Sequence, residues 1–355
     1  MKYVICERMD EDGLIKAGKA RVDVAEIAQK IGYEMVEVKA KNGVRRKKWQ
    51  KGIQYLIYRS NSRKWDRTLS KLHAGDTVIL QYPLLYTSLN FREVIKKHCN
   101  RLKFIAVIHD LDSIRFKNDK TKSAAFFKRV NNDDLEVLNS AVEVISHNKK
   151  MSLELENMGV IKDKIRELGI FDYLDPNNSH AKTGLAKNVV IAGNLSLEKS
   201  AYLSSLKKHQ DVDFNLYGIN FKDSCKGKNI HYQGAFKPDE LAENLEGSFG
   251  LIWDGDSDKT CAGLYGNYLR YNNPHKASLY LSAGLPVIIW EDAALADFVL
   301  KNHVGFTIKS LDEIPGKKKQ ISKLEYEKML KNVEKIAKRL KTGAYLKEAL
   351  EKAGK

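Results

Sequence analysis

Short apolar runs alternate with segments of helical periodicity along most of the chain. The apolar runs end in Gly, Pro, Asn or Asp, as is typical of buried parallel strands that lead into loops. In the segments between them, apolar residues recur every three or four positions, as on one face of a helix. The alternation predicts an α/β fold with parallel sheets. The predicted strands comprise residues 3–6, 33–38, 77–81, 104–108, 142–145, 189–192, 214–217, 230–232, 249–253 and 286–289.

Helical periodicity fills the intervals between these strands. The predicted helices comprise residues 20–31, 49–57, 91–99, 123–130, 133–139, 148–158, 197–206, 239–245, 274–283 and 292–301, then a long helix over 324–340 and a last helix after Gly343.

The turn-rich stretch of residues 171–187 interrupts the alternation, because it lacks apolar periodicity. A chain of 355 residues is long enough for two cores. We therefore expect a first Rossmann-like domain over residues 1–172 and a second over residues 187–341. Residues 342–355 are expected to form a C-terminal helix that packs back on the first domain.

Residues 247–306 hold the most informative pattern. A buried strand leads into a long polar loop, and Asn272-Asn273-Pro274 then predicts an N-cap followed by Pro at the first helical position. His275 and Lys276 fall in the first turn of that helix, where the helix dipole disfavours cations. Their position is easier to explain if an anion binds there as well.

The net charge of +16 and the pI near 9.4 indicate a polyanionic or membrane-surface partner, or only a Lys-rich genome. Four cysteines without paired spacing predict reduced thiols of a cytosolic protein. No apolar run approaches the roughly 20 residues needed to span a bilayer, and the first strand meets acidic residues too soon for a signal peptide. The expected localisation is therefore cytoplasmic.

Residues 316–341 concentrate the basic surplus, with ten Lys/Arg against three Glu. This segment has one apolar stripe, so it fits a basic amphipathic helix lying on anionic lipid at the inner face of the membrane. In the commoner alternative, the apolar stripe faces the core and the basic side of the helix faces solvent.

Four strings occur in a fixed order in the second half of the chain: GNLSLEKS (193–200), FNLYG (214–218), FGLIWDG (249–255) and YNNPHKASLYLSAGLPVI (271–288). With HDLDSIR (109–115) in the first half, they resemble bacterial GT-B glycosyltransferases. The resemblance is to the family that includes the accessory glucosyltransferases of adhesin glycosylation and the β-1,6-galactofuranosyltransferases.

That resemblance implies two Rossmann-like, doubly wound domains facing a cleft, with the nucleotide sugar mostly on the C-terminal domain. It also implies an inverting, metal-independent transfer of galactofuranose or glucose from a UDP-sugar to a glycan, glycoprotein or lipid-linked acceptor. Neither a cofactor besides the donor nor a nucleic-acid partner is expected. The protein is expected to form a homo-oligomer. The alternatives are a polyanion- or RNA-binding protein, indicated by charge alone, and a sugar-nucleotide epimerase or hydrolase of the same fold.

Lys276 is the first candidate for donor binding, because the resemblance places this lysine at the diphosphate, where a cation stabilises the leaving group. Otherwise it is an ordinary solvated lysine. His275 shares the same turn. Asn272 and Asn273 are candidates for contacts to phosphate or sugar hydroxyls, although one of them is needed as the N-cap.

Further donor-site candidates follow predicted strands. Asn194 is expected at a phosphate or sugar, or else in an ordinary turn. Tyr217 is expected against the uracil, or else in the core. Asp254 is expected to bind a hydroxyl or position the loop, and Gly255 to let the backbone approach the donor.

The first domain is expected to supply the general base, with Asp110 as the candidate and His109 second. The alternatives are an N-cap for Asp110 and a buried imidazole for His109. Gly13 is expected near the pyrophosphate by fold analogy alone. The acidic residues after strand 249–253 match neither an EF-hand loop nor an Asp-x-Asp motif, so no catalytic metal is expected.

Overall fold

The computed structural model of the chain describes residues 1–9, 18–42, 51–117, 119 and 121–353. Gly13 and the basic run at 45–48 lie outside the described residues. The chain divides into two compact units: residues 1–168 with 346–355, and residues 169–345.

The first unit is built on a six-stranded sheet of order β2-β1-β3-β4-β5-β6, with every neighbouring pair parallel. Its central strands are apolar and buried along almost their whole length, as expected for a sheet covered on both faces. The strands are β1 (Lys2–Met9), β2 (Glu34–Ala40), β3 (Thr77–Tyr82), β4 (Lys103–Ile108), β5 (Glu143–Ser146) and β6 (Ile165–Glu167).

The helices of this unit connect successive strands. They are α1 (Lys19–Lys30), α2 (Lys51–Ser70), α3 (Phe91–His98), α4 (Asp112–Arg115), α5 (Ala124–Ser140) and α6 (Lys149–Met158), with a 3₁₀ turn at Lys162–Lys164. The two helices predicted at 123–130 and 133–139 form the single helix α5, because no Gly or Pro separates them. α6 begins after Asn148, whose side chain accepts the Met151 N–H at 3.0 Å, and ends at Gly159 in the left-handed conformation, as predicted.

The second unit is built on a six-stranded parallel sheet of order β10-β9-β8-β12-β13-β14 and a short parallel pair β7–β11. The strands are β7 (Lys182–Thr183), β8 (Val189–Asn194), β9 (Phe214–Ile219), β10 (Ile230–Gly234), β11 (Glu246–Gly247), β12 (Phe249–Ile252), β13 (Val287–Trp290) and β14 (Gly305–Ile308). β14 was not predicted from the sequence.

The helices of the second part of the chain are α7 (Pro238–Asn244), α8 (Gly263–Tyr268), α9 (His275–Ser282), α10 (Ala296–Lys301), α11 (Glu313–Gln320), α12 (Lys323–Thr342) and α13 (Ala344–Ala353). Two further segments, Ala201–Lys208 and Asp223–Cys225, are 3₁₀ helices. The α-helix predicted at 197–206 is thus wrong in type and extent, and the helix predicted from residue 292 begins only at Ala296. α8 lies within a stretch predicted as loop.

The turn-rich stretch predicted as a boundary starts at residue 171, and the structure assigns residues 169–174 to the second unit, into which they largely pack. Phe171, Tyr173 and Leu174 are buried. Lys341 pairs with Asp175 at 3.2 Å, with both side chains almost fully buried. Because this stretch is rich in turn-forming residues, its few buried apolar residues could not be recognised from the sequence pattern.

The basic segment of residues 316–341 forms two helices, because α12 starts afresh at a capping box between Ser322 and Glu325. The apolar stripe of α12 is buried in the core of the second unit, which confirms the core-facing interpretation of the stripe. Its members are Tyr326, Val333, Ile336, Ala337 and Leu340. Among the described residues, no helix combines the length and apolar character needed to cross a membrane.

Candidate functional site

The second sheet reverses its strand order between β8 and β12. From β8 the chain moves outward to β9 and β10, then returns to the other side of β8 to form β12, β13 and β14. Loops therefore leave the carboxyl ends of β8 and β12 in opposite directions, and the crevice between such loops is where doubly wound sheets bind ligands. Asn194 ends β8 and Asp254 follows β12, so the fold brings these two predicted positions to this edge of the sheet.

Lys276, in the first turn of α9, reaches the end of β12. Its ammonium donates to the Asp254 carboxylate at 2.8 Å and to the Trp253 carbonyl at 3.0 Å. The side chains of Lys276 and Asp254 are only 14% and 6% exposed. Burial lowers the pKa of Lys276, and Asp254 opposes that effect. These bonds use two of the three ammonium N–H groups, and the third can donate to an anion.

Lys199 is a second cation at this place, and the sequence analysis did not single it out. Its charge also lowers the pKa of Lys276, as expected for two ammonium groups that lie close together. The Lys199 carbonyl accepts the Gly255 N–H at 3.1 Å, so this residue also holds the loop after β12. The signal was available, because Lys199 lies inside the quoted string GNLSLEKS.

Gly255 is required by the packing of its own loop. Its φ of +105° favours glycine, and an added Cβ would lie 2.0 Å from the Ala262 carbonyl oxygen. Both backbone polar groups of Gly255 are used within the protein, since its carbonyl accepts the Tyr202 N–H at 3.2 Å. The loop geometry, including the position of Asp254, therefore depends on this glycine.

Asn194 and Tyr217 occupy different environments. Asn194 is exposed, and its side-chain oxygen accepts bonds from the Ser196 N–H at 3.1 Å and the Asn220 amide at 2.9 Å. Tyr217 is only 3% exposed, and its hydroxyl accepts the Glu246 N–H at 3.0 Å. This placement matches the core alternative for Tyr217 and corrects the expectation of a ring face open to a uracil.

Neither asparagine caps α9, because Pro274 is the N-cap, with φ −67° and ψ 128°. Asn273 is buried, and its amide donates to the Gly169 carbonyl at 2.9 Å. The side-chain oxygen of Asn272 is buried without a hydrogen-bond partner in the described part of the chain. The predicted cap and Pro position are therefore each shifted by one residue.

His275 turns away from Lys276 towards the segment before β7. Its ring stacks on Tyr173 with centroids 5.1 Å apart, and its Nε2 lies 3.3 Å from the Asp172 carbonyl oxygen. Together with Asn273, it fixes the start of α9 to residues 169–173. Asn273 and His275, both predicted to contact the ligand, thus help to hold the start of α9 in place.

In the first unit, His109 and Asp110 follow β4 at the carboxyl edge of the sheet, as predicted. The Nε2 of His109 lies 2.9 Å from the Gln81 side-chain oxygen. Asp110 is 43% exposed and pairs with the Arg115 guanidinium at 2.6 Å. Asp110 is accessible to a substrate, but it already has a cationic partner.

One group of side chains in the described residues has the composition of a metal site: His209, Asp258 and Asp312, whose ligand atoms lie within 4.8 Å of one another. Both ring nitrogens of His209 face carboxylates, Asp258 at 3.0 Å and Asp312 at 3.5 Å. Lys259 also pairs with Asp312 at 2.6 Å. These contacts form a polar network that ties the loop after β12 to the start of α11.

Comparison with known families decides which family this chain belongs to. Residues 189–353 match the family described as glucosyltransferase 3-like, C-terminal domain, and residues 2–170 match its N-terminal domain. The chain belongs to the glucosyltransferase 3-like family. It is a glycosyltransferase, and the resemblance inferred from the sequence is confirmed.

Two relatives of this glycosyltransferase cover most of its length. The β-1,6-galactofuranosyltransferase WbbI of Escherichia coli (strain K12) is 33% identical over 338 residues, which cover 94% of this chain and 92% of WbbI. Glucosyltransferase 3 of Streptococcus parasanguinis is 27% identical over 300 residues, covering 81% and 82%.

The fold has solved counterparts. Anabaena HepE, crystallised in complex with UDP, matches over 100% of both chains with a TM-score of 0.61 and 13% sequence identity. At this identity the likeness shows the fold alone. The predicted α/β class with two Rossmann-like domains of the GT-B type is confirmed.

Proposed function

We propose that this glycosyltransferase transfers a hexose from a UDP-sugar to a glycan acceptor by an inverting, metal-independent reaction. Galactofuranose is favoured over glucose, because the identity to the galactofuranosyltransferase WbbI is 33% and that to glucosyltransferase 3 is 27%. The crystallisation of HepE with UDP supports a uridine nucleotide. The acceptor would belong to a surface polysaccharide, a lipid-linked oligosaccharide or a glycoprotein glycan.

The observation that carries this proposal is the position of Lys276 at the start of α9 and at the switch point of the second sheet. The charge of Lys199 acts on Lys276 as well, whereas Asp254 is the carboxylate that pairs with Lys276. A helix N-terminus adds backbone N–H groups that point towards an anion. The surplus of positive charge fits a diphosphate.

In the proposed reaction the acceptor oxygen forms a bond to the anomeric carbon while the bond from that carbon to the phosphate oxygen breaks. Negative charge grows on the leaving UDP, where Lys276 and Lys199 stabilise it in the place a metal ion would otherwise occupy. The acceptor proton passes to a base, for which Asp110 is the first candidate and His109 the second.

We further propose that the enzyme acts in the cytoplasm as a homo-oligomer, without a cofactor besides the donor. All four cysteines are free, as is usual in a reducing compartment. Contact with the inner membrane would be electrostatic, through the exposed lysines of α12, because the apolar stripe of that helix is used by the core.

Calorimetric titration of UDP, with a chelator present throughout, tests the donor site. We expect Lys276→Met to weaken UDP binding about tenfold or more, which is about 1.4 kcal/mol. Lys199→Met should weaken it less, because Lys276, and not Lys199, lies in the first turn of α9. Lys208→Met, an exposed lysine elsewhere in the same unit, is the control and should bind UDP as the wild type does.

Three results would count against the proposal. If the folded wild type does not bind UDP, the assigned nucleotide is wrong. If it instead binds RNA with a strong salt dependence, the polyanion-binding alternative is favoured. UDP release from a UDP-sugar without any acceptor would favour a hydrolase.

A further inference from the structure

A cavity of about 160 Å³ lies in the first unit, beside the carboxyl ends of β1 and β3. In this sheet the chain runs from β1 to β2 on one side and then crosses to β3 on the other. The cavity therefore lies at the switch point of the first sheet, the position where doubly wound sheets bind ligands. The residues that line it belong to the first unit, whereas the candidate donor site is built from residues of the second.

Four charged side chains, two of each sign, line the cavity: Glu7, Glu26, Arg8 and Arg21. Glu7, near the end of β1, is 8% exposed and accepts the Leu85 N–H at 2.5 Å and the Trp65 indole N–H at 3.3 Å. Arg21, in the first turn of α1, donates to the Gln81 carbonyl at 3.2 Å. Burial raises the pKa of Glu7 to about 7, and the charge of Arg21 opposes that rise.

These charged groups have capacity left for a ligand. A carboxylate offers about four lone-pair sites and a guanidinium five N–H donors, and the protein uses only some of each. The remaining walls are largely apolar, formed by residues such as Ile5, Ala25 and Met35. The cavity thus combines a largely apolar surface with several polar and charged groups.

Size and charge restrict the ligand. Pockets for drug-sized ligands measure about 300–1,000 Å³, so this cavity suits a single ring and not an extended chain. Glu7 would repel a phosphate, and Arg21 would repel a cation, so a neutral ligand fits best. A sugar ring has this chemistry, because its hydroxyls can pair with both charged groups while its C–H face contacts apolar walls.

We propose that this cavity binds one neutral sugar ring of the acceptor, with Glu7 and Arg21 contacting its hydroxyls. The inference rests on the proposed function, since it assigns the acceptor side of the same reaction. Glu7 was not found from the sequence, because the first predicted strand ends at residue 6. The structure instead extends β1 to Met9 and so brings Glu7 to the cavity.

The test uses the full chain and methyl hexopyranosides and methyl hexofuranosides as single-ring probes, with binding followed by saturation-transfer NMR with and without UDP. Gln29 is exposed on α1 and lines the cavity, whereas its neighbour Lys30 is exposed and does not line it. Gln29→Trp should weaken binding of a probe about tenfold, and Lys30→Trp should leave it unchanged. Glu7→Gln should also weaken it, since a carboxylate accepts stronger hydrogen bonds than an amide.

UDP affinity, measured on the same samples, separates the two proposals. We expect all three variants to bind UDP as the wild type does. If no probe binds to the folded wild type at tens of millimolar, or if Gln29→Trp and Glu7→Gln bind the probe normally, the cavity is not the acceptor site. If the probe binds as expected but UDP does not bind, the cavity assignment stands and the proposed donor fails.

Discussion

Lys276 and Glu7 are ionisable side chains that the fold removes from water, and their pKa values shift in opposite directions. Burial disfavours the charged form of each, so it lowers the pKa of the lysine and raises that of the glutamate. Each has an opposite charge nearby: Asp254 forms an ion pair with Lys276, and the charge of Arg21 opposes the rise in the pKa of Glu7. Buried pairs of this kind contribute little net stability, because desolvation offsets the attraction. The proposed roles in binding substrate would account for both.

Glu7 and the buried His147 should give the first unit opposing pH responses. Glu7 has a pKa of about 7 in the folded chain against 4.5 in the unfolded one, so its contribution to stability is lost as the pH rises through this range. The pKa of His147 is lowered by burial to about 4 from 6.5, so its contribution is lost as the pH falls. The two effects nearly cancel between pH 4.5 and 6.5.

The substitution Glu7→Gln should remove the compensation between the pH responses of Glu7 and His147. As the pH falls from 6.5 towards 4.5, the variant should lose stability relative to the wild type by about 1.4 kcal/mol per pH unit, because only the His147 response remains. Urea unfolding across this range measures the difference. Glu26→Gln, on the exposed side of α1, should follow the wild type. If the free energy of unfolding depends on pH in the same way for Glu7→Gln and the wild type, the pKa of Glu7 is not raised in the folded state.

α9 is the element that links the donor site to the rest of the second unit. Its first turn carries Lys276. Further along the helix, side-chain hydrogen bonds attach it to residues 169–174. Ser278 donates to the Phe171 carbonyl at 2.6 Å and Ser282 to the Tyr173 carbonyl at 3.4 Å. The segment before β7 therefore supports the position of the helix that holds the proposed phosphate contact.

The two serines provide a matched comparison. Both are fully buried on the same helix and donate to the same segment, but at different distances. Ser278→Ala should cost about 1–3 kcal/mol of stability, because it leaves the buried Phe171 carbonyl without this donor. Ser282→Ala should cost less, since its bond is longer and weaker. Chemical denaturation of both variants tests this, and equal losses would show that the Ser278 bond is not a main support of α9.

At the level of elements, the sequence predicted most strands and helices, because apolar periodicity is a local property. The errors have identifiable causes. α5 was divided in two because its polar middle resembled an interruption, and β14 was missed because Gly305 and Thr307 leave it without a continuous apolar run. The α9 cap was misplaced because Asn273 resembles an N-cap, whereas its side chain is used by Gly169, a partner 104 residues away in the chain.

Across the whole molecule, the positive surplus of +16 lies partly on the solvated back of α12. Lys328, Lys331 and Lys335 are exposed there, opposite the buried stripe. Charges of this kind attract anionic surfaces over roughly a Debye length, about 10 Å at 0.1 M salt. Any membrane contact by this face should therefore be weak and salt-dependent.

Sedimentation with phosphatidylserine vesicles tests this expectation. The wild type should bind at low salt and be released as salt is added. Reversing the three lysines of α12 to glutamate should reduce binding. Reversing Lys222, Lys226 and Lys228, exposed elsewhere in the second unit, changes the net charge equally and should reduce it less. Equal effects of the two triple variants would show that net charge alone drives the association.

The sequence by itself determined the α/β class, the family and the choice of Lys276 as the first candidate for donor binding. Strand and helix periodicity and short motifs depend only on residues that are close together in the chain. Only the tertiary structure decided which side chains meet. It paired Lys276 with Asp254, added Lys199, buried Tyr217 and turned Asn273 and His275 towards residues 169–173. These outcomes depend on contacts between residues far apart in the chain, and no local pattern records how distant segments are packed.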